Sequence, residues 1–152
     1  MTPSTMTPSH KGPPPPKPLL DVKDLQVHFH APEGVIKAVK GVSFQIPKGG
    51  TVALVGESGS GKSVVAQTIL GILPKSAKIA GGSITLNDPK SATPFVISDM
   101  KPSSRAMRQI RGEKISIIFQ EPMTSLSPVH TVGDQVSEAL LLHQNVSREE
   151  GY

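Results

Sequence analysis

The chain has 152 residues, a length that suits one domain, and because 36% of them are hydrophobic but only 3% aromatic, the core must be built mainly from Val, Ile and Leu. That composition favours an α/β fold over an aromatic-rich sandwich. The formal charge of +4 fits an anionic ligand, an acidic partner or a membrane surface, and the absence of cysteine excludes disulfides and thiolate metal sites within these residues.

The first 18 residues are rich in Thr, Ser and Pro. Because proline fixes φ and removes an amide donor, residues 1–18 are predicted to be a disordered leader, with a proline-rich docking ligand as the functional alternative. The leader lacks the apolar stretch of a secretion signal, and no run in the chain approaches the roughly 18 to 20 apolar residues of a spanning helix. Any membrane association is therefore expected to go through a protein partner or the basic surface.

Two alternating stretches predict an antiparallel hairpin or meander. Apolar and polar residues alternate from Leu25 to Phe29 and again from Val42 to Ile46, with a turn signal at Pro32-Glu33-Gly34 between them. After a further turn, the short continuous apolar run from Thr51 to Val55 is typical of a strand that is buried on both faces.

A glycine-rich segment follows that run directly, and a helix is predicted from Lys62 to Leu70. The segment reads Gly56, Glu57, Ser58, Gly59, Ser60, Gly61, Lys62, Ser63. It fits the phosphate-binding pattern Gly-x-x-x-x-Gly-Lys-Ser, in the strand–loop–helix context that the pattern requires. A plain glycine-rich turn would not account for lysine and serine at these two offsets.

The residue types of this loop suit a phosphorylated ligand. Its glycines allow the backbone N–H groups to point inward at the positive end of the helix, so the amides of Gly59 through Val64 are predicted to hold a β-phosphate. Lys62 is predicted to reach the β- and γ-phosphate oxygens, and the hydroxyl of Ser63 is predicted to ligate Mg²⁺.

The elements predicted after this helix are, in chain order, a strand at 83–86, a loop at 87–103, a helix at 105–111, a buried strand at 115–119 and an amphipathic helix at 132–143. Gln120 follows the second buried strand and opens a phrase that runs to Pro128. A glutamine after a strand is, by itself, usually a solvated loop residue.

Together, the phosphate loop, the Gln120 phrase, their order and the preceding Gly41-Val-Ser-Phe44 resemble the ATP-binding subunits of ABC transporters. The phrase from Ile117 through Gln135 most resembles the subfamily that imports oligopeptides, dipeptides and nickel. The likeness extends over roughly residues 19–150, nearly everything outside the leader. The resemblance implies an α/β fold, in which residues 19–152 are the N-terminal portion of a P-loop NTPase core with an antiparallel β subdomain.

The resemblance also implies roles for single residues. Gln120 would be the Q-loop glutamine, which contacts Mg²⁺ or the attacking water, and Pro122 to Thr131 would face transmembrane permease subunits. Phe29 matches the aromatic residue that stacks on adenine in the family, although its place on the apolar face of a strand suits a core residue equally. The implied cofactors are ATP and Mg²⁺. The implied partners are the permease and a second ATP-binding subunit at the cytoplasmic face of the inner membrane, without nucleic acid.

Several motifs of the family do not occur in these residues: the Leu-Ser-Gly-Gly-Gln signature, the Walker B strand ending in Asp-Glu, the D-loop and the switch histidine. The nearest Walker B mimic, Phe95 to Asp99, is interrupted by Ser98 and precedes Gln120. The resemblance thus implies that the catalytic base and the γ-phosphate sensor are missing from these residues. Whether this chain hydrolyses ATP is therefore left open. Ser147 to Glu150 also matches a helix capping box just before the last residues, although this feature alone suits a frayed polar C-terminus equally. Together with the missing motifs it leads to the expectation of a fragment truncated before the signature motif.

Two alternatives stay open. One is a non-catalytic fragment that binds nucleotide weakly. The other is a soluble phosphate-loop kinase, in which Asp99 would be the metal carboxylate and three arginines would clamp the phosphoacceptor: Arg105, Arg108 and Arg111. The Gln120 phrase argues against the kinase. The transported solute cannot be identified from these residues.

Overall fold

A computed structural model describes residues 16–119, 126–143 and 147. Within these ranges, only the backbone is described for residues 139, 140, 142 and 143. Most of the predicted leader, Gln120 and the capping box therefore lie outside the described residues, apart from Ser147. The elements are β1 (Leu20–Ala31), β2 (Gly34–Ile46), α1 (Lys62–Ile69), β3 (Ala77–Leu86), β4 (Phe95–Val96), a 3₁₀ turn (Ile97–Asp99), α2 (Arg105–Gln109), a π-helical turn (Ile110–Lys114) and α3 (Val132–His143). No helix in the described part is long and apolar enough to cross a membrane.

Within the described residues, four strands form one sheet in the order β2-β1-β3-β4, and each neighbouring pair is antiparallel. β1 and β2 form a long hairpin in which Leu20 lies opposite Ile46 and Ala31 lies opposite Gly34. The hairpin confirms the sequence prediction. The third strand begins earlier than predicted, at Ala77, so that the Gly81-Gly82 pair lies inside it.

A β-bulge at Asp24 changes which residues of β1 face the core. Leu20 and Val22 are buried before it, and Leu25 and Val27 are buried after it, so the alternation shifts by one residue. Asp24 has a φ of +44°, and its carbonyl oxygen lies 2.2 Å from where a Cβ of Gly82 would be. Glycine in the neighbouring strand therefore makes room for the bulge.

One hydrophobic core joins the sheet to α1 and α2. Its buried members include Leu25 and Ile84 in the sheet, Val65 in α1, and Met107 and Ile110 from α2 onward. The predicted helix at 105–111 is in fact two pieces: α2 ends at Gln109, and a π-helical turn closed by the bond from the Ile115 N–H to the Ile110 carbonyl (2.9 Å) follows it. The predicted loop at 87–103 contains β4 and the 3₁₀ turn.

The predictions of two buried strands, the first of them buried on both faces, were wrong in the described residues. Neither Thr51–Val55 nor Ile115–Phe119 forms a strand, and the exposed fraction is 89% at Val55 and 91% at Ile118. A strand of this kind needs hydrogen-bonded neighbours at its edges and a packed layer on each face. No described strand pairs with either segment. Their apolar side chains consequently remain in contact with solvent.

Candidate phosphate-binding site

The glycine loop owes its shape to two residues in the left-handed region. Gly59 has a φ of +78° and Gly61 has a φ of +93°. A Cβ at Gly61 would lie only 2.8 Å from the carbonyl oxygen of Ala38, whereas a Cβ at Gly59 would meet nothing within 4 Å. Glycine is therefore required at position 61 for two reasons: it adopts the left-handed conformation, and it allows the loop to approach β2 closely.

The side chain of Lys62 folds back into this loop. Its Nζ donates hydrogen bonds to the carbonyl oxygens of Gly56 (2.7 Å) and Glu57 (2.6 Å), and to Oγ of Ser60 (3.3 Å). The N–H of Ser60 in turn donates to the carbonyl of Glu57 at 3.2 Å. The ammonium group thus occupies the concave side of the turn, within reach of any group that enters the loop.

The start of α1 supplies further positive potential. The first helical hydrogen bond runs from the N–H of Val65 to the carbonyl of Gly61 at 3.0 Å, so the amides of residues 62–64 have no acceptor within the helix. The capping residue Gly61 makes no side-chain capping bond, and the first turn contains no acidic residue. Backbone donors, the helix dipole and the Lys62 ammonium therefore converge, an arrangement that suits an anion.

The remaining predicted site residues have different surroundings. Ser58 is exposed, and Ser63 is exposed in the first turn of α1. Phe29 is half-buried between Ile36 of β2 and Ala77 of β3 and packs against the hydrophobic core. Its predicted adenine stacking stays a prediction, as do the Mg²⁺ contact of Ser63 and every role of Gln120, which lies outside the described residues.

Sequence reasoning missed two contacts of the loop. The Ser60 hydroxyl accepts a bond from Lys62 and would lie 2.6 Å from a Cβ at Gly56, and Ala38 abuts Gly61 from a distant strand. The motif leaves position 60 unspecified, so the signal for the first contact is the closeness of Ser60 and Lys62 on either side of Gly61. No local pattern signals the second, because Ala38 is 23 positions before Gly61 in the chain.

A separate cavity of about 690 Å³ lies between the start of β1, α1 and the Ile115–Ile117 segment. Its walls are mainly aliphatic, and Asp88 and Lys114 lie beside it as an ion pair. The hydrogen bond from Lys114 holds the pKa of Asp88 below its usual value. Lys114 also lies 5.4 Å from the centre of the Phe95 ring. This ion pair joins the end of β3 to the π-helical turn.

The groups proposed for a kinase do not gather at the loop. Asp99 accepts a bond from Ser98 and is exposed, and Arg105 and Arg108 are exposed on α2. Arg111 donates to the backbone carbonyls of Leu70 and Pro102. The arginine clamp of the kinase hypothesis is therefore not formed.

The glycine loop, its lysine and the helix that follows define a phosphate-loop protein. The sequence matches the ABC transporter family over residues 39–150, and the chain belongs to this family. This membership confirms the predicted family and fold class and removes the kinase alternative.

The chain is similar in sequence to ATP-binding proteins of peptide transporters. It is 48% identical over 133 residues to the probable peptide ABC transporter ATP-binding protein y4tR of Sinorhizobium fredii, covering 87% of this chain and 37% of that protein. It is also 48% identical to the dipeptide transport ATP-binding protein DppD of Bacillus subtilis, covering 86% and 37%. The chain thus spans little more than a third of these relatives.

The solved structures agree on the fold. The ATP-binding cassette MJ0796, in a dimeric post-hydrolysis state bound to ADP and Pi, superposes with a TM-score of 0.70 at 25% identity. The likeness covers 87% of this chain and 52% of that one. The antiparallel sheet, the loop and α1 are therefore arranged as in an ABC ATPase cassette.

Proposed function

We propose that this chain is the Mg-ATP-binding portion of an ABC transporter subunit that energises the import of oligopeptides, dipeptides or nickel. The observation that carries the proposal is the Lys62 ammonium inside a loop whose amides and helix dipole favour an anion. The names of the relatives, which are ATP-binding proteins of peptide, oligopeptide and dipeptide transport, support peptides as the solute. Nickel rests on the subfamily resemblance alone.

The triphosphate would bind by exchange of hydrogen-bond partners. Lys62 would leave the carbonyls of Gly56 and Glu57 for phosphate oxygens, which are charged and therefore stronger acceptors. The amides of Gly59 through Val64 would hold the β-phosphate. The glycine conformations fit this role, because a side chain at Gly61 would collide with Ala38 and displace the loop.

The metal would be held next to the same phosphates. Ser63 lies exposed in the first turn of α1, and its hydroxyl is the kind of oxygen ligand that Mg²⁺ prefers. Gln120 is proposed as a further contact. When bound, Mg²⁺ supplies neutralisation of charge on the β- and γ-phosphates.

The partners follow from the same proposal. Pro122 to Thr131 would face the permease at the cytoplasmic side of the inner membrane, and a second ATP-binding subunit would complete the site. The neighbouring cassette MJ0796 is itself dimeric. Because the signature and Walker B motifs do not occur in these residues, we expect the chain alone to bind Mg-ATP at most weakly and with negligible turnover.

A thermal-shift titration with Mg-ATP tests the binding step. Ligand at a hundredfold excess over its Kd stabilises the folded state by about 2.7 kcal/mol, which is readily measured. The unmodified chain and the control Lys101→Ala, an exposed lysine outside the loop, are expected to shift, and Lys62→Ala is expected not to shift.

Two results would contradict this proposal. If the folded, unmodified chain showed no shift at millimolar Mg-ATP, nucleotide binding would be refuted. If it instead hydrolysed ATP at a robust steady-state rate that Lys62→Ala abolished, the expectation of negligible turnover would be refuted.

A further inference from the structure

A packed unit lies against the C-terminal end of the phosphate-loop helix α1. The unit consists of α2 and the π-helical turn, residues 105–114, and it buries Met107 (1% exposed) and Ile110 (0% exposed) in the core. A Cβ at Gly71, just after α1, would lie 3.1 Å from Cε of Met107. The end of α1 is therefore in direct contact with α2.

Arg111 joins the two by hydrogen bonds to the backbone. Its Nη1 donates to the carbonyl of Leu70 at 3.1 Å, and its Nη2 donates to the carbonyl of Pro102 at 2.9 Å. Leu70 is the capping residue at the C-terminal end of α1 and is 4% exposed. The guanidinium thus connects the end of α1 both to the π-helical turn and to the loop that precedes α2.

The charge of Arg111 suits this position. Carbonyl groups at the end of a helix lack helical partners and carry a partial negative charge, which a cation stabilises. The last turn of α1 contains no basic residue of its own. Arg111, 41 positions after Leu70, supplies that cation from outside the helix.

The same residue lies in the turn that leads towards Gln120. The π-helical turn ends at Lys114, and residues 115–119 run from it to the position just before Gln120. π-Helical turns are frequent at functional sites. The hydrogen bond of Arg111 therefore ties the turn at the start of this segment to the end of α1.

We propose that Arg111 is a positioning residue for nucleotide binding, which holds α1 so that its N-terminal amides meet the phosphates. This inference rests on the nucleotide binding proposed above. α1 has eight residues and is only about 12 Å long at 1.5 Å per residue, so a tilt at its C-terminal end displaces its N-terminal end. The groups of a binding site must be held to within about 0.5 Å of their productive positions, so such a displacement weakens binding.

Three variants of the full chain test the proposal. Arg111→Met keeps an apolar stem and removes the donors, and Arg111→Gln keeps one neutral amide. Arg108→Gln is the matched control, since Arg108 is exposed on α2 and makes no side-chain hydrogen bond or ion pair within the described residues. Calorimetric titration with Mg-ATP, at a temperature where circular dichroism shows each variant folded, measures the Kd.

We expect Arg111→Met to raise the Kd about tenfold, Arg111→Gln about threefold, and Arg108→Gln less than twofold. Hydrogen exchange supplies a readout that a purely structural role would not change. At saturating Mg-ATP, the amides of residues 59–64 should exchange faster in Arg111→Met than in the unmodified chain, while those of β1 are unaffected. With a purely structural role, faster exchange would be confined to the contacts of residues 70 and 102–114.

The outcomes separate the two proposals. If the unmodified chain and Arg108→Gln bind Mg-ATP and both Arg111 variants bind it equally well, the positioning role is overturned while the proposed function stands. If neither the unmodified chain nor the control binds, the proposed function fails and the inference fails with it. If Arg111→Met does not fold, the comparison of Arg111→Gln with Arg108→Gln decides.

Discussion

Gly61 offers a direct test of how the loop is built, because alanine there meets two separate obstacles. Its φ of +93° lies in the left-handed region, which costs a residue with a Cβ about 1–2 kcal/mol. The new Cβ would also lie 2.8 Å from the carbonyl oxygen of Ala38, a backbone atom of β2 that cannot move without disturbing the hairpin. Contacts of this kind cost a further 1–3 kcal/mol, roughly, so Gly61→Ala is expected to lower the free energy of unfolding by about 2–5 kcal/mol.

Gly59→Ala is the matched control. Gly59 has a φ of +78°, but a Cβ there would meet no atom within 4 Å, so alanine at this position meets the conformational cost without the collision. Urea denaturation of both variants, followed by circular dichroism, measures the difference. If Gly59→Ala and Gly61→Ala destabilise the chain equally, the close approach of the loop to β2 does not contribute to stability and the reasoning is refuted.

Three further predictions concern other parts of the chain. Because the pKa of Asp88 is held below its usual value by Lys114, the ion pair stabilises the fold at neutral pH, and this stabilisation is lost as the pH falls through the folded-state pKa. The stability gap between the unmodified chain and Asp88→Asn, measured in urea, should therefore close in acid; a gap independent of pH would contradict this. Met107→Ala removes a side chain that is 1% exposed and should cost about 2–5 kcal/mol, which thermal melting would show; a loss below 1 kcal/mol, roughly, would contradict the packing of α2. Val55→Lys and Ile118→Lys should change stability by less than about 0.5 kcal/mol yet reduce the fluorescence of the hydrophobic dye ANS, since both side chains are exposed; a large destabilisation would mean that they are buried.

The phosphate loop was predictable because its information is local. Three glycines, a lysine and a serine at set offsets specify the turn, and the structure adds the acceptors of the Lys62 ammonium. The hairpin was predictable for a similar reason, since alternation and a turn signal lie within one stretch of chain. The bulge at Asp24 was not, because it depends on Gly82 in a strand that arrives more than fifty residues later.

The two apolar runs show the opposite case. Thr51–Val55 and Ile115–Phe119 have the composition of buried strands, but composition states only that a segment suits burial. A strand also needs neighbours, and no described strand pairs with either run. Their predicted conformation therefore failed for lack of a tertiary partner and not for lack of propensity.

The amino-acid sequence by itself determined the family, through several motifs and their order, and it determined the phosphate loop at 56–63 and the hairpin before it, because each motif lies within one short stretch of the chain. Only the tertiary structure decided that Gly61 lies against Ala38, that α2 ends in a π-helical turn, and that Arg111 caps the carbonyl of Leu70. The contacts of Gly61 and Arg111 join residues 23 and 41 positions apart. Hydrogen bonds and close packing over such separations depend on the path of the whole chain, which no local pattern encodes.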